Sequence, residues 1–483
     1  MRTYLSCFIA TTILGGLTGC GGSTSATPDA GQKAADEDSG VTVDARVEED
    51  TGAPGMTTPD AAAEAGAMDH GAPSTTYPAF TPDVGQITQS GGLIMSDPVI
   101  VAITWDSDPS QASFDTFVDS LGTTNYWSAT TKEYGVGPLV SGATNHVHIA
   151  TAAPAQITDA ELQSLVQANA GVVSDAGPGW PAATPQTVYA FFLPPTTSLQ
   201  LQSMGGGGTQ DACQQGIGGY HDQVTVGSGI TSYAAVPSCA FPNSGNTAAQ
   251  QSTMSMSHEL IEAATDPEPQ QNMIGYSGFD NDHFAFDYFQ EFQSEVGDAC
   301  EFFLSSFYED VETTPVAFDA WVQRTWSNAS IKAAHDPCVP APAGVAYFNV
   351  TPLDLQTVHV TIPAQLSGNG TQVLPTRGIL APTGNAVTFA VGFYSDGPTG
   401  GPWTLAVGPG NPIIYGTQND QIDSFNASTL TATLDRTSGQ NGEKAYVTVK
   451  VSSPGGTFAG EIITLSSSMG GVTHYMPIWI AQN

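Results

Sequence analysis

The sequence predicts an α/β domain followed by an all-β, sandwich-type domain, both behind a signal peptide and an unstructured tether. Three observations carry this. Between residues 79 and 340, short β-branched runs alternate with helical stripes. From 341 to 483, apolar residues recur at every second position between Gly- and Pro-rich turns. Between 21 and 77 there is no aromatic residue before Tyr77 and almost no large aliphatic one, too little to offset the entropy of ordering.

The chain opens MRTYLSCFIATTILGGLTGC, one early Arg and an apolar run too short to span a bilayer. This reads as a secretory signal over 1–19. Its Leu17-Thr18-Gly19-Cys20 ending matches the bacterial lipoprotein cleavage box, with Cys20 as the lipidated first residue of the mature protein. The membrane is then a partner through the anchor, and the expected location is the cell envelope, at the outer membrane or cell surface. Acyl chains contribute roughly 0.8 kcal/mol per buried methylene, so such an anchor is stable. Residues 20–78 form the acidic tether, kept extended by self-repulsion.

In the α/β domain, DPVIVAITWD reads as a buried strand. The next segment reads as a helix with Asp108 as N-cap, Pro109 at its first position, a Phe114, Phe117, Val118, Leu121 stripe, and Gly122 as its stop. Thr158 and Glu161 predict a capping box for a helix lined by Leu162, Leu165 and Val166. QTVYAFFLPP and ITSYAAVPSC read as further strands. In the β domain, Val358, Val360 and Ile362 alternate with polar residues, as do Val387, Phe389, Val391 and Phe393, then Val447, Val449 and Val451.

The formal net charge is −36, and only seven of the ten Lys and Arg lie beyond the tether. A body so poor in cations cannot neutralise phosphates, which excludes nucleic acid as a partner; a surface polymer or protein fits better. Cys213, Cys239, Cys300 and Cys338 lack the paired C-x-x-C spacing of a zinc ribbon and predict two disulfides outside the cytoplasm. Of the three pairings, Cys213 with Cys239 and Cys300 with Cys338 close loops of moderate length.

The chemistry centres on SMSHELIEAATDPEP, residues 255–269. Asn246 to Thr265 has no Gly or Pro, begins on a capping residue and stops before Asp266-Pro267, as a helix does. His258 and Glu262 are four apart, on one face, and can point at one ion. Glu259, about 100° around, reaches an ion-bound water. In the H-E-x-x-H pattern that Glu is the general base and both histidines are ligands. Here a carboxylate replaces the second histidine. The implied cofactor is a divalent metal ion, zinc first, with manganese, iron or calcium favoured more than in a two-histidine site. A third ligand must come from elsewhere: Asp266, Glu295 or Asp298 in SEVGDAC, or His221 in GGYHDQ. A helix carrying His and Glu for ordinary electrostatic reasons is the plain alternative.

Weaker signals stand beside this one. Asp280, Asp282 and Asp287 in FDNDHFAFD offer hard oxygens for calcium but lack EF-hand spacing. His146 and His148 share a strand face. Gly205 to Gly208 precede no Lys that would hold a phosphate, and no G-x-S-x-G or Rossmann fingerprint is present.

GGYHDQ, YAAVPSC, SHELIEAATDP and SEVGDAC, in that order, with GGLIMSDPVIVAITW and WSATTKEYGVG upstream, resemble bacterial secreted relatives of the plant phosphate-induced (EXORDIUM-like) proteins over about residues 85–340. The resemblance implies His221, His258, Glu259, Glu262, Asp266, Glu295 and Asp298 as family-typical polar positions, in an extracellular family linked to growth signalling with no established reaction. The segment before Glu295 departs from that pattern in length and aromatic content. Two functions follow: a metal-dependent, peptidase-like hydrolase whose β domain positions it on a surface, or a non-catalytic surface binding lipoprotein with a structural or calcium site.

Overall fold

The computed structural model describes residues 68–482 except 173–178, 203–207, 242–243, 290–293, 302, 363, 365–369, 411–429 and 454–457. The signal peptide, Cys20 and the tether as far as residue 67 lie outside the described residues, as do Gly205 to Gly207. Over 69–78, where tether was expected, the chain packs: the Asn441 side-chain amide donates to the Ser74 and Thr76 carbonyls at 3.0 and 2.8 Å, and Lys444 N–H donates to the His70 carbonyl at 2.7 Å. The structure is β-rich, with several separate sheets and few long helices.

The sheet that positions the site contains β1 (Val99–Trp105), β2 (His146–Ile149), β3 (Thr187–Phe192), β4 (Tyr220–Val226) and β5 (Gly229–Val236). Their spatial order is β2-β1-β3-β5-β4, parallel throughout except for β4, which runs antiparallel to β5 at the edge. Both faces are covered, so these strands read as continuous apolar runs rather than alternating ones. The period of two is visible instead in which core each residue joins. Ile100, Ala102, Val188, Ala190, Phe192, Ala234 and Val236 face one side; Val101, Ile103, Trp105, Tyr189, Phe191, Tyr233 and Ala235 face the other.

Helix α1 (Gln111–Leu121) packs Phe114, Phe117 and Val118 on the first face. It begins later than the Asp108-Pro109 signal implied. The Asp108 carboxylate accepts the Ser110 N–H at 2.8 Å, and its carbonyl accepts from Gln111. That turn passes the cap position to Ser110. Helix α2 (Asp159–Asn169) covers the second face through Leu162 and Val166, and Thr158 and Glu161 form the expected capping box.

Helix α3 (Ala248–Thr265) starts on a second capping box, Thr247 with Gln250, and its buried residues run from Gln251 through Thr265. A helix buried all round needs small residues where neighbours approach closely. Ser252, Ser255, Ser257, Ala263 and Ala264 supply them. The His258 stripe therefore faces protein, not solvent.

Disulfides join Cys213 to Cys239 and Cys300 to Cys338, across 26 and 38 residues. In the chain-entropy account such loops contribute about 3.5 and 3.9 kcal/mol. They tie down β4 and the segment carrying Glu295 and Asp298.

After the short strand β6 (Trp321–Gln323), two larger sheets follow. A four-stranded one contains Phe348–Pro352, Ala386–Ser395, Lys444–Val451 and Leu430–Leu434; a six-stranded one contains Gln356–Ile362, Gln372–Leu380, Val472–Ala481, Gly460–Met469, Trp403–Pro409 and Ser438–Gly439. Val358, Val360, Phe389, Val391, Phe393, Val447, Val449 and Val451 are all buried, as their alternation predicts, and Ile362 is partly so.

Candidate metal centre

His258, Glu262 and Glu259 leave α3 in adjacent directions and meet His221 from β4 and the Glu295-Val296-Gly297-Asp298 turn. Glycines make the approach possible. A Cβ on Gly297 would lie 2.7 Å from both Glu262 Oε1 and His258 Nδ1, and one on Gly219 would lie 2.8 Å from Glu259 Oε1.

His258 and Glu262 are each held by one atom and present another. His258 Nδ1 lies 3.0 Å from Gln323 Oε1, and the Gln323 amide nitrogen donates to the Gly297 carbonyl at 2.8 Å. The second bond fixes which end of the amide faces the ring, so Nδ1 carries the proton and Nε2 offers its lone pair. Glu262 Oε1 accepts the Gly297 and Asp298 N–H groups at 3.1 Å each. Its Oε2 is left 3.0 Å from His258 Nε2, and Asp298 Oδ1 lies 3.5 Å from the same nitrogen. An ion bonded at ~2.1 Å to atoms 3.0 Å apart subtends about 90°, an ordinary coordination angle.

On the other side, His221 Nδ1 lies 3.4 Å from Glu259 Oε2 and 3.7 Å from Glu262 Oε2; its Nε2 lies 3.5 Å from Glu295 Oε2 and 3.3 Å from the Asp266 carbonyl. Asp266 itself does not continue the ligand face as its spacing suggested. Pro267 disfavours helical geometry at the preceding residue. Asp266 caps α3 in a non-helical conformation and spends Oδ1 on the Gly275 N–H at 2.7 Å.

His258, Glu259 and Glu262 are 0% exposed, and His221 and Glu295 are 4% and 3% exposed. Among the described residues, both Glu259 oxygens, Glu262 Oε2 and Glu295 Oε2 are buried with no hydrogen-bond donor. Carboxylate oxygens this deep cost several kcal/mol unless a cation, a proton or water meets them. Burial pushes Glu262 up to about 7, helped by Asp298 and opposed by His258, and raises Glu295 well above the usual range, with Glu262 adding to it. Burial alone would lower both histidines. The acids outweigh it, taking His221 up to about 9 and His258 well above 6.5. Without an ion, shared protons offset the crowded negative charge; a divalent ion can replace them. The donor set and its orphaned oxygens fit such an ion.

Gln323, Gly297 and Gly219 had no signal in the helix motif. Gln323 lies 65 positions beyond His258 on β6, and only packing of β6 against α3, through Gln323 N–H to Ser257 Oγ at 3.0 Å, brings it in. Gly297→Val is expected to cost more than about 2 kcal/mol of stability and to weaken metal binding, because its side chain occupies the space of Glu262 and His258. Chemical denaturation with and without added metal checks this; unchanged stability and affinity would contradict the packing described.

Of the other acidic and histidine signals, Asp280, Asp287, His146 and His148 have protein partners, and Asp282 is exposed. Asp280 accepts from Gln86 N–H and faces His283 Nδ1 at 2.6 Å; Asp287 accepts the Phe279 N–H. His146 and His148 pair with Asp119 and Asp115 of α1, each at 2.9 Å.

No family model and no curated protein matches this chain. Among solved structures it is similar to the crystal structure of domains 4 and 5 of the S-layer protein SbsC, at 13% identity over 36% of this chain and 88% of that one, with a TM-score of 0.15. Domains 1–6 of surface layer protein SbsC are similar at 14% identity over 35% of this chain and 24% of that one, also with a TM-score of 0.15.

Proposed function

We propose that this is a lipid-anchored protein of the bacterial cell envelope that holds a divalent metal ion between His258, Glu262 and Asp298 and uses it as a hydrolase, with Glu259 as the base. The observation that carries the reading is the set of donor-less buried oxygens of Glu259 and Glu262 beside the oriented Nε2 of His258. A bound divalent ion lowers the pKa of a coordinated water and polarises a carbonyl. Glu259 would accept the proton of that water, and Gln323 holds His258 in the ligating tautomer.

Closure of the site favours a second reading. Only the Asp298 side chain, 23% exposed, reaches water appreciably. A site walled off in this way is structural, and recognition then belongs to the β domain.

Metal analysis of the purified full chain and of Glu262→Ala tests the common part of both readings. At least one ion per parent chain is expected, with affinity in the variant falling by more than the ~10- to 100-fold that loss of an outer partner costs. Equal metal in both would defeat it. For the anchor, Cys20→Ser is expected to move the protein from the membrane to the soluble fraction, and retention in the membrane would refute lipidation.

A further inference from the structure

The donors exceed what one ion takes. They form two sets, His258 with Glu262 and Asp298, and His221 with Glu262 and Glu295, within each of which the ligand atoms lie within 4.8 Å of one another. Glu262 belongs to both. Its Oε1 is occupied by two backbone amides, while Oε2 stands 3.0 Å from His258 Nε2 and 3.7 Å from His221 Nδ1.

We propose that the chain binds a second divalent cation, held by His221, Glu295 and Glu262 Oε2, so that Glu262 bridges two ions. This rests on the metal reading above and adds an ion to it. The two histidines are prepared alike: as Gln323 engages His258 Nδ1, the Asp266 carbonyl accepts a hydrogen bond from His221 Nε2–H at 3.3 Å, leaving the Nδ1 lone pair toward Glu259 and Glu262, with Glu295 Oε2 beside the ring 3.5 Å from Nε2. Glu295 contributes a 3%-exposed carboxylate whose Oε2 has no donor among the described residues.

Charge points the same way. Glu259, Glu262, Glu295 and Asp298 together bring four negative charges when ionised, and among the described residues no Lys or Arg pairs with Glu259, Glu262 or Glu295. One divalent ion offsets half of that charge, and two offset all of it. Buried charge left without a counter-ion costs several kcal/mol per group. A shared carboxylate oxygen sets two ions about 3.5–4 Å apart, the spacing at which a pair stabilises both an attacking and a leaving oxygen. The carboxylate-rich second set suits Mn²⁺, Fe²⁺ or Zn²⁺.

The test is a count of ions on the purified full chain loaded with Mn²⁺, by elemental analysis and electron paramagnetic resonance. Two ions per chain and a spin-coupled signal are expected for the parent. One ion and an uncoupled signal are expected for Glu295→Gln. One ion in both proteins overturns the second site and leaves the first standing; no ion in either overturns both. Two ions in both overturns the assignment of the second ion to Glu295. If Glu295→Gln does not fold, the parent's count and coupling decide alone.

Discussion

Stripping divalent ions from the protein with a chelator is expected to lower its melting temperature, and to lower it further the higher the pH between 5 and 9. An ion present at 1,000 times its dissociation constant contributes about 4.1 kcal/mol. For a folded body spanning Asp69–Asn483, that corresponds to roughly 5 °C. The pH dependence follows from two groups. Glu262 is raised from 4.5 to about 7, so in the ion-free protein its contribution to stability is present below 4.5 and lost as pH rises through 7. His221 is raised from 6.5 to about 9, so its contribution is present below 6.5 and lost through 9. Ion binding needs Glu262 ionised and the histidines neutral, and therefore strengthens over the same range. Calorimetric scans at pH 5, 7 and 9, with metal and with chelator, read the widening gap. A gap that is absent, or that narrows with pH, would contradict the assignment.

Glu259→Gln is expected to retain metal while losing hydrolysis by about 10²- to 10⁴-fold, the usual contribution of a general base. The substitution preserves shape beside Gly219, whose missing Cβ admits the Glu259 side chain. Peptide substrates displayed in a library, with cleavage read by mass spectrometry, provide the assay. Equal cleavage by parent and variant would remove Glu259 from catalysis. Metal binding without cleavage by the parent would favour the structural reading that the closed site supports.

The strands and the Thr158–Glu161 capping box were legible because their signals are local: β-branched runs, alternation, and Thr-x-x-Glu; the helix expected to begin at Asn246 is capped one residue later, by Thr247 with Gln250. The convergence of His258 and Glu262 was legible for the same reason, since four residues make one helical turn. The turn of Glu295 and Asp298 was legible only as one choice among several. Its approach depends on Gly297 and the Cys300–Cys338 link, which act across the fold. Gln323 was invisible because its role comes from β6 packing on α3, with no fixed spacing to encode it. Asp266 misled through periodicity. The helix face it continues on paper ends at Thr265, where Pro267 turns the chain away.

The central claim is that His258 Nε2 and Glu262 Oε2 share an ion. Anomalous diffraction at the zinc edge, from crystals of the full chain grown with zinc, tests it most directly. The expected result is a peak about 2.0–2.2 Å from both atoms, with a third contact from Asp298 and Gln323 still engaging Nδ1. No peak there, with His258 Nε2 and Glu262 Oε2 about 3.0 Å apart and no ion between them, would contradict the account.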